Sequence, residues 1–235
     1  MKNSIIFALW LMSVIVPRAA TVLLTEDFES PVAPAGSYTN LVGALGNWTI
    51  GGSIDPNVPG RSVDIVSASH PLAPLGSTSQ FLDLCGTNGN TVLRSAKIAP
   101  VVRYATYTVT CRSALPNVEN QNDGGVSPLD FVVELEDGIP GDQTGGTRWR
   151  TWASMRFTNS YSASISYTGT TVTNLISTTN AAPAWFATNR WVTNSFTFTT
   201  PSFTNGMRLV LLTGAPPPYR NHVSWFIDDI VLTGP

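Results

Sequence analysis

The run R-W-V-T-N-S-F-T-F-T-T, residues 190–200, decides how this chain is read. Phe196 and Phe198 alternate with Ser195, Thr197 and Thr199, so a two-residue period sorts rings to one face and hydroxyls to the other. On a helix the two rings would point to nearly opposite sides. The same alternation recurs along the chain in SVDIVSA (62–68), SQFLDLCG (79–86), ATYTVTCRS (105–113), LDFVVELED (129–137), RWRTWASMRF (148–157), YSASISYTG (161–169), MRLVLLTG (207–214) and VSWFIDDIVL (223–232). Clusters of Gly, Pro, Asn and Asp separate the runs, and helical periodicity is absent. Roughly nine short strands at this spacing predict an all-β fold, a two-sheet antiparallel sandwich of jelly-roll type.

Parity within the runs predicts which side is wet. In YSASISY and the serine before it, Tyr161, Ala163, Ile165 and Tyr167 read as core against Ser160, Ser162, Ser164 and Ser166. In RWRTWASMRF, Trp149, Ala153, Met155 and Phe157 read as core, leaving Arg148, Arg150, Trp152, Ser154 and Arg156 on the opposite face. Trp48, Trp191 and Trp225 read as packing residues.

Only 12% of the 235 residues are charged, about half the usual share, and the net charge is −2. Such a chain has no basic field for a phosphate backbone or an anionic membrane surface, so nucleic acid is not an expected partner. Lys2, the apolar run Ile5–Val16 and the small residues Ala19 and Ala20 match a secretory signal peptide over residues 1–20. Twelve apolar residues are too few to span a bilayer. The expectation is a secreted, extracellular product, residues 21–235, forming one β-sandwich domain with no membrane anchor after cleavage. In an oxidising compartment Cys85 and Cys111 form a candidate disulfide. Strand parity argues the other way, placing Cys111 with Tyr107 and Val109 and Cys85 opposite Leu82 and Leu84.

Two acidic clusters stand near the ends, T-E-D-F-E-S (25–30) and F-I-D-D-I-V-L (226–232). Asp228 shares parity with Phe226, Ile230 and Leu232, and Asp229 with Ile227 and Val231, so one carboxylate must face packed surface. A buried carboxylate costs several kcal/mol unless paired or metal-bound, and no Lys or Arg lies within five residues on this strand. Calcium, which takes six to eight oxygen ligands, resolves that cost. The alternative is solvated charge guarding an edge strand.

The order of these elements carries a resemblance. DFESPVAPAGSYTN, GNWTIGG, SVDIV, QFLDLCG, TYTVT and the closing IDDIVLTG, taken together, resemble the galactose-binding-like β-sandwich superfamily over about Thr25 to Thr233. Within it the chain is most similar to secreted choice-of-anchor and plant cell-wall type proteins, related to carbohydrate-binding modules of xylanases. The resemblance implies a jelly roll with a structural Ca2+ joining first and last strands, and often a sugar-binding surface. By that resemblance Asp228 and Glu29 are the expected metal ligands, with Glu26, Asp27 and Asp229 as neighbours that could share the role. The opening departs from the family's Asn-Gly-x-Phe-Glu, reading Thr25-Glu26-Asp27-Phe28-Glu29.

A sugar ring stacks its C–H bonds on an aromatic face while planar polar groups bind its hydroxyls. Trp152 flanked by Arg150 and Arg156 fits that requirement, as do Trp185 in AAPAWFATN and Tyr219 in APPPYRN. The loops RSALPNVENQNDGG and LEDGIPGDQTGG offer further oxygens, from Glu119 to Asp142, in a pattern that matches no EF-hand and that turn chemistry also explains. Catalysis is disfavoured: neither His70 nor His222 sits in a metal motif, and there is no Gly-x-Ser-x-Gly elbow. Glu134 and Glu136 share a strand face, which solvent exposure explains. The expected function is a non-catalytic carbohydrate-binding protein whose partner is a polysaccharide or glycan. The alternatives are a structural or adhesive surface protein without a sugar site, and a carbohydrate-active enzyme.

Overall fold

The computed structural model describes residues 20–51, 62–84, 91–114, 129–137, 148–157, 163–167, 190–202, 204–213 and 225–235. Among them run fourteen strands: β1 (Thr21–Glu26), β2 (Tyr38–Val42), β3 (Ala44–Leu45), β4 (Trp48–Gly51), β5 (Ser62–Val66), β6 (Phe81–Asp83), β7 (Val92–Ser95), β8 (Thr106–Ala114), β9 (Leu129–Asp137), β10 (Arg148–Phe157), β11 (Ala163–Tyr167), β12 (Val192–Thr199), β13 (Thr204–Thr213) and β14 (Phe226–Gly234). The first sheet has the order β12-β8-β14-β6-β5-β2, with β1 also paired to β14; the second runs β11-β10-β9-β13-β7-β4-β3. Every ladder is antiparallel. All nine runs read as strands are strands, and the expected two-sheet antiparallel sandwich is the observed fold.

Alternation built the core as expected where the strands are regular. Phe196 and Phe198 are buried between Ser195, Thr197 and Thr199, which face water. From the opposing sheet Phe131 meets Phe196 edge-on at 6.0 Å, while Tyr107, on the adjacent strand of the same sheet, stacks on Phe198 at 5.6 Å. Each fully buried side chain of this size contributes roughly 1.5–3 kcal/mol. Phe28 and Trp48, ring centroids 6.4 Å apart, join the same core. Gly234 permits a close approach, since a Cβ there would lie 2.4 Å from the Tyr107 ring.

Four ladders among the described residues carry a register shift, and two of these, in β14 and β10, redirect residues on which the sequence reading depended. In β14 the register with β8 slips between Asp228 and Val231, with Asp229 in the left-handed region at φ 49°. Ahead of the slip Ile227 enters the main core and Phe226 faces outward; beyond it Ile230 and Leu232 point inward. That change of parity is how apolar residues of both parities in FIDDIVL are buried. In β10 the slip falls between Thr151 and Ala153. Ala153 and Met155 are core as expected, but Arg150 stands opposite the buried Leu135 and Trp152 packs against the core cluster. Trp149, opposite Glu136, turns outward instead, so the predicted placement of Arg150 and Trp152 on the outer face and of Trp149 in the core is corrected.

Trp48 and Trp225 are buried. Trp191 instead covers the outside of the first sheet. There Val66, Phe81, Ala114 and Phe226 form a separate apolar cluster beneath Ala73 and Trp191. The Trp191 indole N–H donates to Ser77 Oγ at 2.9 Å, tying the cover to the 67–80 segment. Cys111 is a free thiol buried in the core, and burial pushes its pKa up to about 12. The Cys111 side chain points between the sheets, as its parity with Tyr107 and Val109 requires, and its candidate partner Cys85 lies outside the described residues. Residues 1–19, where a signal peptide is expected, also lie outside them. No helix of the described residues is long and apolar enough to cross a membrane.

Candidate functional site

The acidic ends meet at a branch in the first sheet. One edge of β14 pairs with β6 through Phe226 and Ile227, and then with β1 through Ile230 to Gly234. Asp228 and Asp229 occupy the junction, where β1 has left the sheet and β6 enters it. Asp228 is 2% exposed; its Oδ1 accepts the Asp229 N–H at 2.9 Å and its Oδ2 accepts Ser79 Oγ at 3.4 Å. Asp229 is exposed and takes Arg112 Nη1 at 3.0 Å, the same atom standing 3.8 Å from Asp228 Oδ2. Arg112 stacks its guanidinium over Trp191 at 5.0 Å. The strand itself carries no Lys or Arg within five residues, as the sequence shows, but Arg112 comes from β8, directly across the ladder from Asp228.

The leading strand arrives with equal order. Phe28 adopts φ 53°, its carbonyl accepts Gln80 Nε2 at 2.6 Å, and Gln80 Oε1 accepts the Ala33 N–H at 2.9 Å. Glu26 is committed to structure, accepting Trp48 Nε1 at 2.9 Å and the Phe28 N–H at 3.2 Å on its two oxygens. Asp27 accepts the Glu29 N–H at 3.2 Å. Glu29 is exposed and Asp228 buried, and the charge of each acidic segment bears on the other. Burial, then the charges of Asp27 and Asp229, raise the Glu29 pKa against a lowering backbone contact from Gln80. Burial, then Asp229, push Asp228 up to about 7; Arg112 opposes this and Glu29 adds to it.

Negative charge held together at this price in solvation is what a hard cation relieves. Among the described residues no group of three or more His, Cys, Asp or Glu has metal-holding geometry. A calcium ion at Glu29 and Asp228 would therefore complete its oxygens from neighbouring carbonyls, a donor set this ion accepts and softer metals do not.

The outer face of the second sheet presents a different surface. Ladder register aligns Thr49, Arg94, Val210, Val132 and Ser154 in one row across β4, β7, β13, β9 and β10. A neighbouring row holds Arg208, Glu134 and Thr151. Val92, Val132 and Val210 are buried on this face although they lie outside the main core. Arg208 donates from Nε to Glu134 Oε2 at 2.6 Å and lies over the Trp149 ring, Cζ 4.2 Å from its centroid. Lys97 pairs with Glu136 at 2.6 Å.

Trp152 is half-buried, with its indole N–H donating to Thr199 O at 2.8 Å across to the other sheet. Trp149 and Arg208 are the aromatic–guanidinium pair that faces outward; sequence parity missed them because the bulge at Trp152 leaves no mark in the residue types. Glu134 and Glu136 share a face as expected, but each is ion-paired rather than simply solvated. Arg156 is described as backbone only, opposite Asp130, and Trp185, Tyr219 and residues 119–123 and 142 lie outside the described residues.

No family model and no curated protein matches the chain. Among solved structures it is similar to the Stig cyclase Fisc from Fischerella sp. TAU, with 13% identity and TM-score 0.51 over 92% of this chain and 98% of that one. It is also similar to the CBM22-1-CBM22-2 tandem domain of Paenibacillus barcinonensis Xyn10C, with 12% identity and TM-score 0.46 over 91% and 50%. The CBM22-1 xylan-binding domain of the same protein gives 12% identity and TM-score 0.41 over 93% and 97%. At the level of the fold, the chain is a two-sheet antiparallel β-sandwich of the kind seen in that cyclase.

Proposed function

We propose that this protein is an exported, non-catalytic carbohydrate-binding β-sandwich that takes a glycan on the outer face of its second sheet. The observation that carries the reading is the Trp149–Arg208–Glu134 arrangement, an aromatic ring with a guanidinium held over it and a carboxylate fixing that guanidinium. Sugar recognition needs an apolar patch beside planar, pre-oriented polar groups, and rotamers already held by neighbours lose little entropy on binding. Thr49 and Thr151 are exposed on the same face and add hydroxyls. The resemblance read from the sequence favours the same function.

A structural calcium ion held by Glu29 and Asp228 is part of the proposal. It supplies positive charge and a coordination centre; the chain's own residues do the rest. Gln80 pins the 28–33 segment beside the junction, and the Asp229 N–H orients the Asp228 carboxylate. Glycan-array binding of the full chain, repeated with Trp149→Ala, tests the function. Binding that disappears in the variant while the fold persists supports it. A wild-type protein that binds no glycan leaves the structural or adhesive alternative in its place.

A further inference from the structure

Arg94 is the residue of this face that its surroundings do not explain. It lies in the central row, beside Val210 and Thr49, and its Nη1 sits 3.1 Å from where a Cβ on Gly51 would be. Glycine at position 51 thus makes room for the guanidinium. The nearby cations have their anions: Arg208 is paired with Glu134 and Lys97 with Glu136. Asp130, on the same face, is engaged elsewhere. Arg94 has no hydrogen bond and no ion pair of its own among the described residues. Burial first, and then the Arg208 charge, disfavour its charged form, while Glu134 acts in the opposite sense. Arg94 is partly buried and a guanidinium keeps its proton, so a positive charge stands on this face, within reach of an anion from solution.

Building on the glycan-binding reading above, we infer that this face selects an acidic polysaccharide, with Arg94 as the receptor for a uronic acid carboxylate. Sugar hydroxyls alone leave the charge of Arg94 unbalanced, whereas a carboxylate matches its planar fork with two parallel hydrogen bonds. The neutral parts of the chain of sugars would lie along the row toward Trp149 and Arg208. A sulfate ester offers the same negative charge in a tetrahedral rather than planar form, and the test separates the two.

The experiment is calorimetric titration of the full chain with polygalacturonate, with its carboxyl-reduced neutral counterpart and with a sulfated galactan. Wild-type protein is expected to bind polygalacturonate about tenfold or more tighter than the reduced polymer, with an affinity that falls as salt rises. Arg94→Met should erase that preference and leave binding to the neutral polymer and the thermal midpoint unchanged, and Arg94→Lys should restore part of it. Equal binding of both polymers by wild type, preference for the sulfated galactan, or equal losses for all ligands in Arg94→Met overturns the inference while the glycan-binding function stands. Failure of every glycan to bind removes both.

Discussion

The two outer faces of the sandwich start from the same problem and end differently. On the first sheet Phe81 and Phe226 pack 4.7 Å apart, and Trp191 meets Phe81 edge-on at 5.4 Å, so rings supplied by the chain close the surface. On the second sheet the apolar cluster is small, Val92, Val132 and Val210 with Leu212 packed against them, and Arg94, Arg208, Glu134 and Trp149 stand around it. Burial of rings against rings stabilises the fold, whereas fixed ion pairs beside a ring contribute little to stability and much to recognition. The contrast teaches that a surface must be judged by what its groups still lack, and on the second sheet Arg94 has no ion pair of its own among the described residues.

Truncation is the most forceful way to break the comparison. Phe81→Ala, at a site with no exposure, should cost about 3–5 kcal/mol in denaturant unfolding. Trp149→Ala should cost under about 1.5 kcal/mol by the same measurement and yet abolish glycan binding. Equal destabilisation by the two variants would mean that the second face is structural as well.

The acidic junction provides a test of intermediate size. The folded pKa of Asp228, about 7, lies above its value of 3.8 in the unfolded chain, so the folded state binds the extra proton. Metal-free protein should therefore be most stable below about pH 4 with respect to this group, lose stability as pH rises through 7, and change no further above that. Calcium binds the ionised form, so its stabilisation should grow over the same interval, read as the thermal midpoint with calcium and with chelator. Asp228→Asn should flatten both profiles. A midpoint that ignores calcium at pH 8 leaves Arg112 as the only countercharge.

Alternation made most of the fold legible, because β8, β9, β12 and β13 bury one face and repeat every two residues. Short strands such as β3, β4 and β7 carry too few residues to show a period. The candidate site was harder to read for a physical reason: two bulges decide it. A bulge inserts one residue and inverts every side chain beyond it, and neither Trp152 nor Asp229 is a glycine that would advertise one. Arg112 was missed because a count along one strand cannot see the residue opposite, 116 positions earlier than Asp228 by the numbering (228 − 112).

The smallest expected effect sharpens the core itself. With its pKa pushed up to about 12, Cys111 should stay unreacted with iodoacetamide at pH 8 in folded protein, and peptide mass mapping should find it labelled only after denaturation. Prompt labelling would place the thiol outside the core.

The branched edge of β14 also governs the order in which the chain can assemble. All seven strands of the second sheet precede residue 214, so they can pair while the chain is still emerging from a ribosome. The first sheet closes later, because β14 is its hub: it joins β8, β6 and β1 and follows every other described strand. Until β14 arrives, β1 has waited about two hundred positions for its partner, and closing so long a loop is slow. During synthesis the protein is half a sandwich, with an open sheet of hydrophobic residues in need of shelter.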